Sequence, residues 1–487
     1  MNNLQNNAGG KMTNFRWQIC LMLFFATTIN YLDRQVLSLT WKDFIAPEFH
    51  WTNNDYGNIT ALFSIFYAIS MLFAGRFVDK VDTKKGFLWA IGVWSVGAVI
   101  HAFCGIATSG IIAGEWFVGF EGAKEVIGTI SDTGLVINVS VTLFIFSRFV
   151  LALGEAGNFP AAIKATAEYF PKKDRALSTS IFNAGATVGA LAAPISIPFI
   201  AKAWGWEMSF IIIGALGFVW MGFWVFIYKK PETNPRVNAA ELEYIQQDVE
   251  RDNRRTANTE KGETKKISFA QAFKYRQTWA FALGKFMTDG VWWFFLFWTP
   301  AYLSSVYGMD STESALPLFV LYMITLLSII GGWLPSYFVD KKGMNPYAGR
   351  MRAMLIFAFF PLLALFAQPL GKISYWIPVV IIGIAGAAHQ AWSANIFSTV
   401  GDMFPKKAIA TITGIGGMAG GFGSFIINKS SGVLFDYAGQ NQMIFMGFKG
   451  EEAGYFIIFS VCAVSYLIGW AIMKTLVPQY APITDLE

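Results

Sequence analysis

The sequence predicts an all-α integral membrane protein of twelve transmembrane helices, arranged as two related six-helix halves. Three observations carry this: scarce charge, apolar runs of membrane length, and an internal repeat. Of 487 residues, 54% are hydrophobic and only 14% charged, against about 25% charged in an ordinary soluble domain. So little charge cannot clothe a surface in water, which leaves lipid as the solvent for most of the chain. Runs of about 20 apolar residues match the roughly 30 Å hydrocarbon layer. Helices follow, because backbone in lipid must satisfy its own hydrogen bonds. The short alternating segments of a β-barrel are not visible.

Apolar runs place spans near 15–38, 56–78, 86–108, 140–168, 176–201 and 207–228. A second set lies near 277–306, 314–338, 351–369, 373–401, 408–436 and 453–476. The polar first fourteen residues show no cleavable signal pattern, so the first span is expected to be retained. Even-numbered connections carry cation clusters such as Arg76/Lys80/Lys84/Lys85, Lys172/Lys173/Arg175 and Lys341/Lys342/Arg350/Arg352. Odd-numbered ones hold single lysines and several acids. The positive-inside rule therefore puts both termini in the cytoplasm. The expected division is 1–229, an N-terminal bundle; 230–276, a charged and solvated cytoplasmic linker; and 277–487, a C-terminal bundle. Within the linker, AAELEYIQQDVERD can form a short surface helix.

The repeat is explicit. Phe170-Pro171-Lys172-Lys173 recurs as Phe404-Pro405-Lys406-Lys407, a spacing of 234 that also pairs Glu168 with Asp402. Phe77-Val78-Asp79-Lys80 recurs as Phe338-Val339-Asp340-Lys341 at a spacing of 261. The difference of 27 locates extra sequence in the first half, on the outer face near 114–140. That segment reads as a lid or, by the usual tolerance of loops, as an inert insertion. Parallel repeats of this kind occur in carriers that rock about a central site.

Gly75-Arg76-Phe77-Val78-Asp79-Lys80 with Lys84-Lys85-Gly86 resembles the signature of the major facilitator superfamily, with Asp82-Thr83 in place of its usual Gly-Arg. Asn30-Tyr31-Leu32-Asp33-Arg34, with Arg148-Phe149 and Glu155-Ala-Gly-Asn-Phe159-Pro160, resembles the anion:cation symporter family. Ala388-His389-Gln390, Ser393-Ala394-Asn395 and Thr288-Asp289-Gly290-Val291-Trp292-Trp293 are similar to its bacterial hexuronate transporters. The resemblance implies Asp33 and Glu155 as proton-coupling carboxylates and Arg34 as the partner of a substrate carboxylate.

The residues support the same roles. Ionisable groups within spans are costly and usually face a polar cavity. A desolvated carboxyl beside an arginine can exchange a proton, and the planar guanidinium of Arg34 suits a carboxylate. Helical rise puts Asp33 and Arg148 at a shared depth, where they could pair. Arg148, Asp79 and Lys80 are expected in a charge network. Lys285 and Asp289, one turn apart, read as a local ion pair. Tyr31, Tyr67, Trp292, Trp293 and Trp392 can offer flat faces to a sugar; Asn183, Thr187, His389, Gln390 and Asn395 can offer hydrogen bonds. A helix–helix bond would equally explain Gln390 or Asn395. Gly185-x3-Gly189, Gly416-x3-Gly420 and Gly417-x3-Gly421 allow close helix approach.

Cys20, Cys104 and Cys462 lack metal-like spacing, and no phosphate-binding motif is present. The net charge of +5 follows membrane topology and is no nucleic-acid signal. The expectation is a monomeric, proton-coupled symporter of a hexuronate or related sugar acid, with no metal or organic cofactor. Sodium coupling, another organic anion, and export stay open. A receptor, a channel or a membrane enzyme would need features that the paired repeat and buried charges do not supply.

Overall fold

The computed structural model describes residues 11–256 and 267–483 and is helical almost throughout. Within the first half the spans are Arg16–Thr40, Asn53–Val81, Thr83–Ala102 continued by Cys104–Ala113, Thr133–Glu155 continued by Asn158–Tyr169, Lys172–Trp204 and Trp206–Ile227. The second half has Arg276–Tyr307, Ala315–Thr325 continued by Ile330–Lys342, Pro346–Phe359 continued to Gly371, Trp376–Met403, Lys406–Gln440 and Glu451–Leu476. Among the described residues, nine helical stretches are long and apolar enough to cross a membrane. The long helices that fall short are the first, seventh and eleventh spans. They carry the polar groups: Asn30, Asp33, Arg34 and Gln35; Lys285 and Asp289; and a glycine-rich run with Asn428 and Lys429. Polarity that lipid would not tolerate marks the helices at the centre of the molecule.

The repeat is visible in backbone geometry. Pro171 and Pro405 each stand just before a helix, at φ −62°, ψ 156° and φ −64°, ψ 153°. The residues before them, Phe170 and Phe404, are both extended, as proline demands of its predecessor. Glu168 accepts a 2.5 Å bond from Thr83 at the start of the third span. Its counterpart Asp402 takes Arg350 of the ninth span at 2.7 Å. Gly185 and Gly189 lie against the backbone of Phe24 and Thr28, which draws the fifth span onto the first. In the second half, Gly416, Gly420 and Gly423 do the same for the eleventh and seventh. The eleventh span also turns Gly417 and Gly421 to Met71 and Ala68 of the second, across the halves.

Two regions differ from expectation. The fourth span begins at Thr133 rather than near 140, because the Asp132 side chain caps it through Leu135 N at 3.0 Å. The insertion is thus shorter, and it is packed: its helix Gly119–Thr129 buries Ala123 and Ile127. The linker helix Ala239–Thr256 is not a free surface element either. Glu241 is fully buried and accepts from Phe15 N (2.9 Å), Arg16 N (3.0 Å) and Arg16 Nη1 (3.1 Å). A carboxylate at a helix N-terminus satisfies orphan amides and opposes the helix dipole. Tyr244 adds a 2.7 Å bond to Asp174 at the start of the fifth span.

Candidate functional site

Arg34 sits deep in the first span, 4% exposed. Its Nε and Nη2 donate to Glu155 Oε2 of the fourth span at 3.0 and 2.7 Å. Three rings surround the guanidinium, with centroids at 5.0 Å (Tyr31), 4.8 Å (Tyr67) and 5.2 Å (Trp293). Trp293 comes from the seventh span, so both halves contribute to the cage. Guanidinium faces favour aromatic contact, and desolvation strengthens it. The fourth span breaks after Glu155 and restarts at Asn158, which leaves this carboxylate at a helix end. Its Oε1 is buried without a hydrogen-bond partner.

The expected pairing of Asp33 with Arg148 is not what forms. Neither oxygen of Asp33 has a hydrogen-bond partner, and Arg148 Nε and Nη1 have none either. The reason is angular. Adjacent helical residues point about 100° apart, and the face of the first span turned to the fourth presents Arg34. Arg148 lies instead over the Phe63 ring at 5.2 Å. Three ionisable groups besides Arg34 thus occupy one buried region: Asp33 at 1%, Glu155 at 0% and Arg148 at 3% exposure.

On the second half, Lys285 Nζ meets Asp289 Oδ2 at 2.7 Å, as the local spacing predicts. Trp292 stacks on His389, with planes 1° apart, and His389 Nδ1 bonds the Tyr466 hydroxyl at 2.8 Å. Two expected sugar-binding groups are otherwise engaged. Asn395 Nδ2 donates to Gly331 O and Ala391 O, both at 2.8 Å, a helix–helix bond that ties the tenth span to the eighth. Trp392 is fully buried, edge-on to Tyr466, and packs rather than faces open space. Gln390 and Thr187 are half-buried and Asn183 exposed; no hydrogen bond links these three to the cage. Lys80 is exposed, while the Asp79 side chain lies outside the described residues.

Sequence reading missed the closure beyond the site. Trp41 stacks on Tyr56 at 4.1 Å, and Trp298 stands edge-on to both. Tyr56 Oη donates to Phe297 O at 2.8 Å, and Trp298 Nε1 to Asn428 Oδ1 at 2.9 Å. Farther out, Asp436 accepts from Asn53 N (3.0 Å), Asn53 Nδ2 (3.0 Å) and Asn54 N (2.7 Å). It thereby caps a helix of the opposite half. Lys429 Nζ reaches Asn54 Oδ1 at 2.7 Å, and Lys202 pairs with Asp310 at 3.5 Å. Among the described residues, no hydrogen bond or ion pair joins the halves at the end bearing the cationic loops. The opposite end is closed by the contacts just described.

The insertion helix belongs to the closed end. Lys124 bonds Glu121 at 3.3 Å and Glu207 at 3.6 Å, while Trp206 Nε1 donates to Glu48 Oε2 at 2.8 Å. Burial pushes the Glu48 carboxyl up to about 7, against the Trp206 hydrogen bond and with help from Glu207.

The sequence and the fold have known counterparts. The Major Facilitator Superfamily profile matches residues 23–427. The hexuronate transporter of Escherichia coli (strain K12) is 27% identical over 470 residues, covering 96% of this chain and 94% of that protein. The galacturonate transporter of Dickeya chrysanthemi is 27% identical over 341 residues, covering 70% and 87%. The crystal structure of a D-xylose-proton symporter shares the fold at a TM-score of 0.66 and 14% identity, over 97% and 99% of the two chains. With the match running from the first span into the eleventh, the chain belongs to the Major Facilitator Superfamily: it is a multi-pass membrane transporter, not an enzyme.

Proposed function

We propose that the protein is a proton-coupled symporter that imports a hexuronate or related sugar acid across a bacterial inner membrane by alternating access. One observation carries the reading: a buried arginine, caged by Tyr31, Tyr67 and Trp293, is held by a single carboxylate from another span. A guanidinium so placed is a carboxylate receptor whose seat is already taken. Protonation of Glu155 releases Arg34, and the substrate carboxylate takes over the Nε and Nη2 donors that Glu155 Oε2 had occupied, with both its oxygens free to engage the planar fork. The rings flanking Arg34 offer apolar faces to the C–H surface of a sugar. Asp33, both of whose carboxyl oxygens lack a hydrogen-bond partner, and Arg148, which lies over Phe63, adjust the local charge as protons move. Closure at the end away from the cationic loops corresponds to an inward-facing state, with both termini in the cytoplasm.

The similarity to transporters named for hexuronate and galacturonate supports the substrate class. The test is Glu155→Gln, which holds this position permanently neutral. Counterflow of labelled galacturonate in proteoliposomes should persist, while accumulation driven by a pH gradient should vanish. Accumulation equal to wild type would overturn the coupling role. Absence of sugar-acid uptake in wild type would overturn the substrate class.

A further inference from the structure

The seventh span carries a second buried cation that the mechanism above does not use. Lys285, Asp289 and Trp293 follow one another at intervals of four, so they form one stripe along the helix. At its outer end Trp293 lies on Arg34. At its inner end Lys285 bonds Asp289 at 2.7 Å and lies 4.1 Å from the Phe397 ring centroid. Phe397 is 38% exposed, on the tenth-span face that also carries the half-buried Gln390 and Ser393. Asp289 Oδ1 is buried and has no hydrogen-bond partner. Gly420 leaves the space this carboxylate fills, since a Cβ there would collide with it.

A lysine only 4% exposed, answered by one acid, is costly in a membrane and adds little rigidity that an apolar pair would not. The arrangement repeats the chemistry of Arg34 and Glu155 on the opposite half: one cation, one carboxylate, and one carboxylate oxygen unanswered. Asp289 lies one helical turn, about 6 Å, inward of Trp293. An extended six-carbon acid whose first carboxylate meets Arg34 brings its far end to this level.

We propose that Lys285 and Asp289 form a second carboxylate subsite, which admits dicarboxylic sugar acids alongside the monocarboxylic ones. The idea rests on the reading of Arg34 as the first carboxylate receptor. Protonation of Asp289 frees the Lys285 ammonium, which takes the second substrate carboxylate. After inward release the proton leaves Asp289 and the local pair re-forms. Each dicarboxylate therefore travels with one proton more than each monocarboxylate.

The experiment uses the whole chain in proteoliposomes, with labelled galacturonate as substrate and unlabelled galactarate, its dicarboxylic counterpart, as competitor. In wild type, galactarate should compete. In Lys285→Met/Asp289→Asn, which removes both charges together, the inhibitory potency of galactarate relative to unlabelled galacturonate should fall at least tenfold. An unchanged ratio, or no competition in wild type, overturns the subsite. Should the double variant fail to fold, proton counts from flux reversal in wild type decide: one extra proton per galactarate supports the subsite, and equal counts overturn it. If galacturonate itself is not carried, the functional reading fails instead. If galacturonate is carried and galactarate ignored, only the second subsite falls.

Discussion

Each half buries a cation against a carboxylate, yet the two pairs are built differently. Arg34 reaches Glu155 from another span, 121 residues away; Lys285 and Asp289 are neighbours on one helix turn. A pair shared between helices exists only while those helices stay in register. A pair within one helix persists whatever its neighbours do. The first half therefore ties charge to helix packing, and the second carries its charge as a fixed fitting. The cross-helix pair is also the more deeply buried, with side chains 5% and 0% exposed against 5% and 14%.

The largest effect that would sharpen this contrast is on stability. Arg34→Met strands the Glu155 carboxylate, and breaking a buried pair from one side costs about 3–5 kcal/mol. We expect a strong loss of folded protein in detergent melts, recovered by adding Glu155→Gln. Lys285→Met should cost less, because Asp289 keeps partial access to solvent. Equal losses in the two single variants would erase the distinction. Next in size, Arg34→Lys keeps the charge but loses the two-pronged donor and the ring contacts. A fall of at least about tenfold in kcat/KM for uptake is expected, equivalent to about 1.4 kcal/mol.

A smaller effect concerns the junction between halves. Asp436→Asn weakens the cap on the second span, where caps are worth about 1 kcal/mol. That is roughly a fivefold shift toward the outward-open state. Ser424 of the eleventh span is fully buried, 2.8 Å from the Ser64 hydroxyl of the second, so the shift should appear as faster labelling of a Ser424→Cys reporter by an impermeant thiol reagent added outside. Unchanged labelling would mean that the cap plays no part in gating. The smallest effect is on pH dependence at the insertion. Because the Glu48 carboxyl is raised to about 7, folding favours its protonated form. Its contribution is complete at acid pH and is lost as pH rises toward and through 7. Glu48→Gln should flatten that slope, by about 2 °C in melting temperature between pH 5 and 8. A slope identical to wild type would remove Glu48 from the account.

The spans and the repeat were legible because hydropathy and the recurring Phe-Pro-Lys-Lys are local signals. Candidate charges were legible too, since an ionisable residue in an apolar run stands out. Their partners were not. Asp33 and Arg34 are adjacent, and which of them meets the fourth span depends on how the first helix is rotated, a property of packing. Asn395 looked like a ligand group, but its acceptor Gly331 lies 64 residues away. Asp436 lies near the end of a helix close to the outer loops, where nothing marks it as the cap of a helix in the other half. Glu241 was hidden for the same reason, inside a segment whose composition reads as solvated.

That buried glutamate shortens the leash between the two bodies. With the linker helix fastened to the first half through Glu241 and Tyr244, the length of chain that spans to the second half counts from Thr256 to Ile267 rather than from the sixth span. Eleven residue steps reach at most roughly 40 Å when fully drawn out. The chain thus sets its own ceiling on how far the two bundles can part at the end bearing the cationic loops. Inserting residues after Thr256 would raise that ceiling, whereas inserting them before Ala239 would put the helix out of step with its berth.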